Sequence, residues 1–527
     1  MSKKSLSAGL ALCIVLSLCS CKKTPENVVP TPPVDTVPST SENAAAQKEP
    51  EEEVTFISVM LGDKNIEDWN DNNVIANVNR NSLRLSENNE GDFSELENTF
   101  RELDNDAATK AKSSLSELMT AAKDLSGDDF NPLYLEETSK TLVQRADTKI
   151  VSFLEDIFVY SGGVHPDCYY KTTSIDTKTG RILALSDVTA NTDGLPDILE
   201  AEITDKYDCV KFDENQLSEI FTGYSAEDYN WTLDYQGITF WFSPYDIASY
   251  TVGPLSVKLY FDEYPDIIRN EYKTAPSDSY CIMLPKGQKI DFDLDVSDGK
   301  KDTLEIDLTP DKFGSYSMLS VTVNGNTFTD EINYAYDFDV YLARIGDKNY
   351  IYSDSWSDNG YHMFSTWDIN GEKPRIAEEL YNTKLATVYI EEGENDGAVY
   401  KRAFTNPSAF RLEKRVEILG TREIWANFEI SRVDGTPQLT DDEYTFNEGH
   451  GLVLKIPMAA RVVPDMVTHE VGEGMHLTPC WTDGETYVDL MTENGWTLRF
   501  DIDVSDYPIT VNGIPEAECF EELFYAG

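Results

Sequence analysis

The apolar positions of this chain change their spacing several times, and each change marks a new segment. An unbroken apolar run from about residue 6 to residue 18 gives way, over residues 22–53, to KKTPENVVPTPPVDTVPSTSENAAAQKEPEEE, where large apolar side chains are scarce. Such a composition buries too little surface to offset the entropy of ordering, so this segment is expected to be a disordered tether. A strand-like start follows near residue 54. Next, DFSELENTFRELDNDAATKAKSSLSELMTAAKDL places Phe93, Leu96, Phe100 and Leu103, then Leu115, Leu118 and Met119, at helical spacing. The polar run Asp104–Asp106 between the two groups predicts two helices with a break there. YLEETSKTLVQRA and TKIVSFLEDIFVYS alternate or cluster their apolar residues over strand length, which predicts a β-pair. Beyond residue 275, strand candidates such as FDVYLARIGDKNYIYSDSW are separated by turn signals, and VTVNGN, ITVNG and STWDINGEKPRI each carry the Asn-Gly dipeptide of a tight hairpin. The pattern predicts an α+β N-terminal half, with an antiparallel sheet and helices, and an all-β C-terminal domain over 275–527, propeller-like or a sandwich.

The first apolar run follows Lys3 and Lys4 and ends in small residues, which is signal-peptide anatomy, and it is too short and wrongly flanked for an ordinary membrane span. Its last residues, Leu18-Cys19-Ser20-Cys21, resemble a bacterial lipobox. That resemblance implies cleavage after residue 20 and lipid on Cys21, whose several acyl chains would hold the protein at a membrane. Cys19 is the poorer candidate because Leu18 would stand immediately before it; ordinary cleavage and release is the alternative. The expectation is a lipoprotein signal peptide over 1–20, a tether over 21–53, and a place in the bacterial cell envelope outside the cytoplasm.

Charge narrows the partners. The chain has 43 Lys and Arg against 95 Asp and Glu, a net −52, which becomes −54 once Lys3 and Lys4 leave with the signal peptide. Such a surface repels nucleic-acid phosphates and favours basic proteins or cations. At 527 residues and 40% hydrophobic, the chain can hold two or three domains, each with its own core. Past Cys21 the cysteines are Cys168, Cys209, Cys281, Cys480 and Cys519, an odd number with no C-x-x-C pair. A disulfide scaffold and a thiolate zinc site are therefore unsupported, and spacing leaves any one or two bridges unassigned.

Four ordered signatures fall between residues 150 and 265: IFVYSGGVHPD, IDTKTGRILALSDV, a helical stretch through LPDILEAEITDKY, and YQGITFWFSPYDIASYTVGPLSVKLYF. Their Gly162, Gly163, His165 and Pro166; Asp176, Thr179 and Gly180; Leu185 and Asp187; Gly237; Phe242, Pro244 and Tyr245; and Tyr250 and Gly253 resemble the hallmarks of the RsiV-like extracytoplasmic domain. Residues 54–150 are similar to the companion α+β domain that precedes it, and 151–270 would be the RsiV-like domain itself. In that family the outer domain of a membrane-spanning anti-sigma factor senses lysozyme, and related domains stand beside cell-wall deacetylases. The chain shows neither a cytoplasmic anti-sigma segment nor a metal-dependent deacetylase signature, so the resemblance implies binding of a protein or glycan at the envelope.

Candidate chemistry is sparse. FDLDVSDGKKDTLEI places Asp293, Asp295, Asp298 and Asp302 around Gly299, a supply of hard oxygen ligands that calcium would use structurally; the spacing departs from the usual calcium loop, and in so acidic a chain the run also reads as a solvated turn. The echo DIDVSD at 501–506 does not establish a repeat. THEVGEGMHLTPCW offers His469, Glu470, Glu473 and His476, but seven residues and two glycines separate the histidines, which reads as strand and hairpin and not as a zinc helix. Phe240 and Phe242 alternate with Trp241, so the phenylalanines are expected in the core and Trp241 on the other side of the sheet, where sugar binding is the lesser of its readings. In YSGGVHPD, the glycines permit positive φ and Pro166 restricts His165 to extended geometry, a shaped connection or a ligand-facing loop. No nucleophile elbow, Walker loop or dinucleotide fingerprint is present. The expected function is non-enzymatic recognition of a basic extracellular protein such as lysozyme. The alternatives are a peptidoglycan- or glycan-binding accessory protein and an unrecognised envelope hydrolase.

Overall fold

The computed structural model describes residues 53–526 apart from 71–72, 87–88, 90, 127–134, 209, 211, 213, 293–301, 311–315, 358–359, 394–395 and 448–450. The signal peptide, Cys21 and the tether lie outside the described residues. The first sheet starts from β1 (Val59–Asn70) and β2 (Asn73–Leu85), an antiparallel pair. A helix, α1 (Ser94–Ser126), then packs on β2, and β3 (Leu135–Ala146) joins β2 in parallel, a pairing that requires such a crossover. The predicted β-pair is present: β3 runs antiparallel to β4 (Ile150–Tyr160), and β5 (Asp167–Asp176) follows on its far side. One helix replaces the two expected. Asp104–Asp106 does not break it, because Ala111 and Ala122 continue the apolar stripe of Leu96, Phe100 and Leu118, while Arg80 on β2 holds Asp104 at 2.5 Å.

Short α2 (Leu185–Val188), then α3 (Leu195–Lys206) and α4 (Glu214–Gly223), cover one face of a three-stranded sheet of β6 (Asn230–Leu233), β7 (Gly237–Phe242) and β8 (Leu255–Tyr260). Charge is carried into this interior only in pairs. Lys258 and Asp234 meet at 2.5 Å, and Lys206 on α3 reaches Asp291 at 2.9 Å, all four side chains being almost wholly buried. Arg145, at the end of β3, has no exposed surface. Its Nε donates to Asp147 at 2.7 Å and its terminal nitrogens donate to the carbonyls of Asp234, Tyr272 and Thr274.

Among the described residues beyond 275, the named elements are strands apart from one short terminal helical turn. β9 (Ser279–Met283), β14 (Asp337–Ile345), β15 (Lys348–Trp356), β16 (His362–Asp368) and β17 (Arg375–Tyr381) make a five-stranded antiparallel sheet. The meander β10 (Lys289–Phe292), β11 (Asp302–Pro310), β12 (Tyr316–Val323) and β13 (Asn326–Ala335) shares a core with it, with Phe328 edge-on to Trp367 at 5.7 Å. Every residue of β15 between its ends is buried, so the sheet is covered on both faces at this strand, whereas no residue of the edge strand β17 is fully buried. The region beyond residue 275 is thus built of several antiparallel sheets, as the all-β expectation requires.

After β18 (Thr383–Leu385), the hairpin β19 (Thr387–Gly393) and β20 (Asp396–Arg402) returns to pair with β1, so the first sheet has seven strands in the order β19-β20-β1-β2-β3-β4-β5. Strands that follow residue 275 thus share a sheet with strands that precede it. Lys401 on β20 reaches Asp339 and Asp354, and Lys140 on β3 meets Asp339 at 2.5 Å, which ties this sheet to the five-stranded one. Burial pulls Lys401 down, but the two carboxylates outweigh it and hold the amine well above its usual range. Further on, β21 (Phe410–Val416) and β22 (Arg422–Ile430) open a larger antiparallel sheet. It continues through β23 (Pro437–Leu439), β24 (Tyr444–Phe446), β25 (Leu452–Leu454), β26 (Met458–Val462), β27 (Val467–Val471), β28 (His476–Thr482), β29 (Tyr487–Thr492) and β30 (Thr497–Asp503), over a separate core that includes Leu452, Leu490 and Phe500.

Two of the three Asn-Gly signals make tight hairpins. Asn324-Gly325 and Asn512-Gly513 have positive φ at both residues, as a two-residue turn matching strand twist requires. Asn370-Gly371 instead lies in a six-residue connection between β16 and β17, where the Asn370 side chain exchanges two hydrogen bonds of 2.7 Å with the Asn349 backbone. Cys168, Cys281, Cys480 and Cys519 are free thiols.

Removing the Arg145 guanidinium leaves Asp147 charged and fully buried, so Arg145→Met is expected to cost about 3–5 kcal/mol, measured as a lower urea midpoint. A second prediction concerns His362, at the start of β16. Burial, with help from Lys384 and Lys401, pulls its imidazole down from 6.5 to about 4. Between those values the unfolded chain takes up the proton that the folded chain refuses, so this residue's share of stability is full above pH 6.5 and is lost as pH falls toward 4. The drop in melting temperature from pH 7 to pH 5 should accordingly be smaller in His362→Gln than in the parent protein.

Candidate functional site

Two of the hallmark segments meet at one end of the seven-stranded sheet. The first, residues 161–166, connects β4 to β5 and turns at Gly162, whose φ is 90°. The second, 243–254, connects β7 to β8. Ser243 Oγ accepts a hydrogen bond from the Tyr170 backbone N–H at 3.0 Å, which anchors the second segment to β5. Asp246 accepts from the Ser243 N–H at 2.7 Å and Tyr245 N–H donates to the Ala248 carbonyl at 3.1 Å, and together they hold Tyr245 at a φ of 76°. A bulky residue in that region is strained and persists only because its surroundings over-determine it.

What this scaffold presents is a small knob of rings. The His165 ring stacks on Tyr250 at 4.0 Å with 25° between planes, and the Tyr245 ring stands 5.7 Å from Tyr250. The Pro166 carbonyl fixes both members of the stack, accepting from Tyr250 Oη at 2.7 Å and from His165 Nδ1 at 2.9 Å. A carbonyl can only accept, so Nδ1 carries the proton and Nε2 is left as an acceptor. Val164 is fully exposed and Tyr245 is 65% exposed. Beneath the knob, burial and the nearby Asp156 push the Cys168 thiol up, which disfavours the nucleophilic thiolate. The arrangement offers aromatic faces, one methyl-bearing tip and an imidazole acceptor to a partner, a chemistry of contact.

The other hallmarks shape the platform. Asp176 Oδ1 accepts from both the N–H and the hydroxyl of Thr179 at 2.8 Å, closing a turn at Gly180, whose φ is 66°. A Cβ at Gly180 would sit 2.4 Å from the Glu95 carbonyl, so only glycine lets this turn lie against α1. Asp187 accepts from the Ala184 N–H at 2.8 Å and from Arg181 at 2.6 Å, capping α2, where Leu185 is buried. Gly237 passes so close to β8 that a Cβ would meet the Leu259 carbonyl at 2.5 Å.

Other candidates take different places. Asp293, Asp295 and Asp298 lie outside the described residues; Asp302 begins β11, is nearly buried, and accepts from the Asn324 amide. His469 pairs across from Ala460 and His476 across from Val453, on two different strand pairs, and both are exposed. Trp241 does face away from Phe240 and Phe242, as alternation requires, but that face is covered too. Its indole donates to Thr232 at 2.8 Å and meets Tyr170 edge-on at 5.8 Å, leaving it 2% exposed and closed to a sugar. Alternation reports which side a residue faces, not whether a second sheet covers that side. The exposure of Tyr245 beside the half-buried Tyr250 was the missed feature, although FSPYDIASY, a Ser-Pro-Tyr-Asp turn amid aromatics, carried the signal.

Comparison with known proteins finds one family match within this region. Residues 186–262, which hold α3, α4 and β6–β8, match a family described as protein of unknown function (DUF3298). No curated protein matches the chain. Among solved structures, a DUF3298 member from Bacteroides fragilis NCTC 9343 is 18% identical over 41% of this chain and 94% of its own, with a TM-score of 0.31. A DUF3298 protein from Pseudomonas aeruginosa PAO1 is 14% identical over 41% of this chain and 96% of its own, with a TM-score of 0.27. Scores this low carry no argument about the fold. The established likeness is the DUF3298 match over residues 186–262.

Proposed function

We propose that this chain is a lipid-anchored extracytoplasmic binding protein of the bacterial envelope, which recognises a basic protein such as lysozyme through its RsiV-like region, without anti-sigma activity and without catalysis. The observation that carries the reading is the convergence of two hallmark segments on one exposed knob, His165, Tyr245 and Tyr250, held in a fixed and partly strained shape. Rigid aromatic anchors lose little entropy on binding, and an excess of acidic residues steers a cationic partner toward them. Anchorage rests on the lipobox at Leu18–Cys21. Among the described residues no helix is long and apolar enough to cross a membrane.

A second reading, a glycan-binding accessory of the cell wall, is favoured by Tyr336 and Trp356, two exposed rings 5.7 Å apart at one end of the β14–β15 pair. The two readings separate in one experiment. The mature protein is titrated with lysozyme across a salt series and, in parallel, incubated with purified peptidoglycan. Lysozyme binding is expected to survive at ~0.15 M salt, where the Debye length is about 8 Å, and Tyr250→Ala should weaken it about thirtyfold, the cost of losing a central anchor of ~2 kcal/mol. Complete loss by that salt concentration, or indifference to Tyr250→Ala, would sink the protein-recognition reading. Retention on peptidoglycan that Trp356→Ala abolishes would put the glycan reading in its place.

A further inference from the structure

A cavity of about 280 Å³, close to the lower end of the range typical of small-molecule sites, opens between the start of the first sheet and the strands around β20 and β21. Phe56, Leu385, Phe404 and Phe410 give it apolar walls, and Arg402 and Arg411 give it two cations. In a chain with 95 acidic and 43 basic residues, a half-buried cation ordinarily finds a carboxylate. Arg402 does not. Among the described residues its side chain makes no ion pair or hydrogen bond, and its Nε is buried without an acceptor. The charge that acts on it is another cation: burial first, and then the Arg411 charge, pull the Arg402 guanidinium down.

Arg411, by contrast, is held in place. Its Nε donates to Asn427 Oδ1 at 2.9 Å, and its guanidinium lies 4.2 Å from the Trp425 ring centre. Asn427 is in turn fixed by its amide to Asp441 at 2.9 Å, and the acid that acts on Arg411 thus sits behind Asn427. One arginine is clamped as a flat platform and the other is left with an unmet donor, an arrangement that costs stability unless something negative arrives. The walls decide what kind of anion. Phe404 and Phe410, 4.6 Å apart, offer nothing to the outer oxygens of a phosphate, whereas an apolar body would displace water from them.

We propose that this cavity binds a small organic carboxylate, with the carboxylate bridging Arg402 and Arg411 and its apolar body seated against Phe56, Phe404 and Phe410. The site is independent of the His165–Tyr250 knob, and neither reading depends on the other.

The test uses the mature protein, with phenylacetate and N-acetylmuramate as carboxylate probes and inorganic phosphate at matched ionic strength as the anion without an apolar body. Calorimetric titration and urea unfolding are read for the parent protein, Arg402→Met, Arg402→Lys and the distant surface variant Arg432→Gln. At least one carboxylate should bind and raise the parent's unfolding midpoint while phosphate does not. Arg402→Met should weaken that binding about tenfold or more, the loss of one charge-assisted hydrogen bond, and should itself raise the ligand-free midpoint by removing an unmet buried cation. Arg402→Lys should weaken binding without gaining stability, and Arg432→Gln should bind as the parent does. Failure of both carboxylates to bind, equal binding by Arg402→Met, an equal response to phosphate, or a lower ligand-free midpoint in Arg402→Met would each overturn the proposal; the last would make Arg402 a structural residue.

Discussion

A guanidinium with no route to water organises the middle of this protein. Arg145 is wholly buried, and its donors are taken by one carboxylate and three carbonyls that come from the β3–β4 hairpin, the β6–β7 turn and the segment leading into β9. Tyr235 lies 5.3 Å from its charge and accepts from the Ala146 N–H, so the cation is enclosed by a ring as well as by acceptors. A buried charge tolerates little displacement, because each lost acceptor exposes a desolvation cost far larger than the bond's own net contribution. Three stretches of chain widely separated in sequence are therefore held in one register around it, and the loops that the sheets carry inherit that rigidity.

The same economy governs the other interior charges. Lys206–Asp291 joins α3 to β10, and Lys140, Lys401, Asp339 and Asp354 join the seven-stranded sheet to the five-stranded one. Each lies where two layers meet, so each specifies how the layers align in a way that apolar contacts alone do not. The acid excess stays mainly outside, where it shapes association and not folding. Against that background two features depart from the pattern: a stack of rings at the end of a sheet, and a cation that finds no carboxylate among the described residues, in a half-closed cavity.

Strain has a similar distribution. Tyr245 sits in left-handed conformation next to the stacked His165 and Tyr250, whereas glycine occupies the close approaches at Gly180 and Gly237. The glycines solve packing problems within the platform. The tyrosine pays a conformational cost in order to hold its ring in the open, which is the placement a recognition surface needs.

The chain's own pattern determined the β-rich class, the β3–β4 pair, the helical stripe of α1 and the turns at Asn324-Gly325 and Asn512-Gly513, since periodicity and turn chemistry are local properties that act over a few residues. Only the tertiary structure decided what covers each face and which distant segments share a sheet. Trp241 obeyed its alternation and was still buried, because β5 brings Tyr170 against the far side of β7. Asp104–Asp106 was locally a poor helix and was carried through by Arg80 and by packing on β2. Residues 387–402 completed a sheet that began more than three hundred residues earlier, and Arg402 thereby came to face Arg411 across a cavity that no sequence spacing announces. Burial and charge pairing depend on three-dimensional neighbours, and a linear pattern records which side chains are available without recording what will stand opposite them.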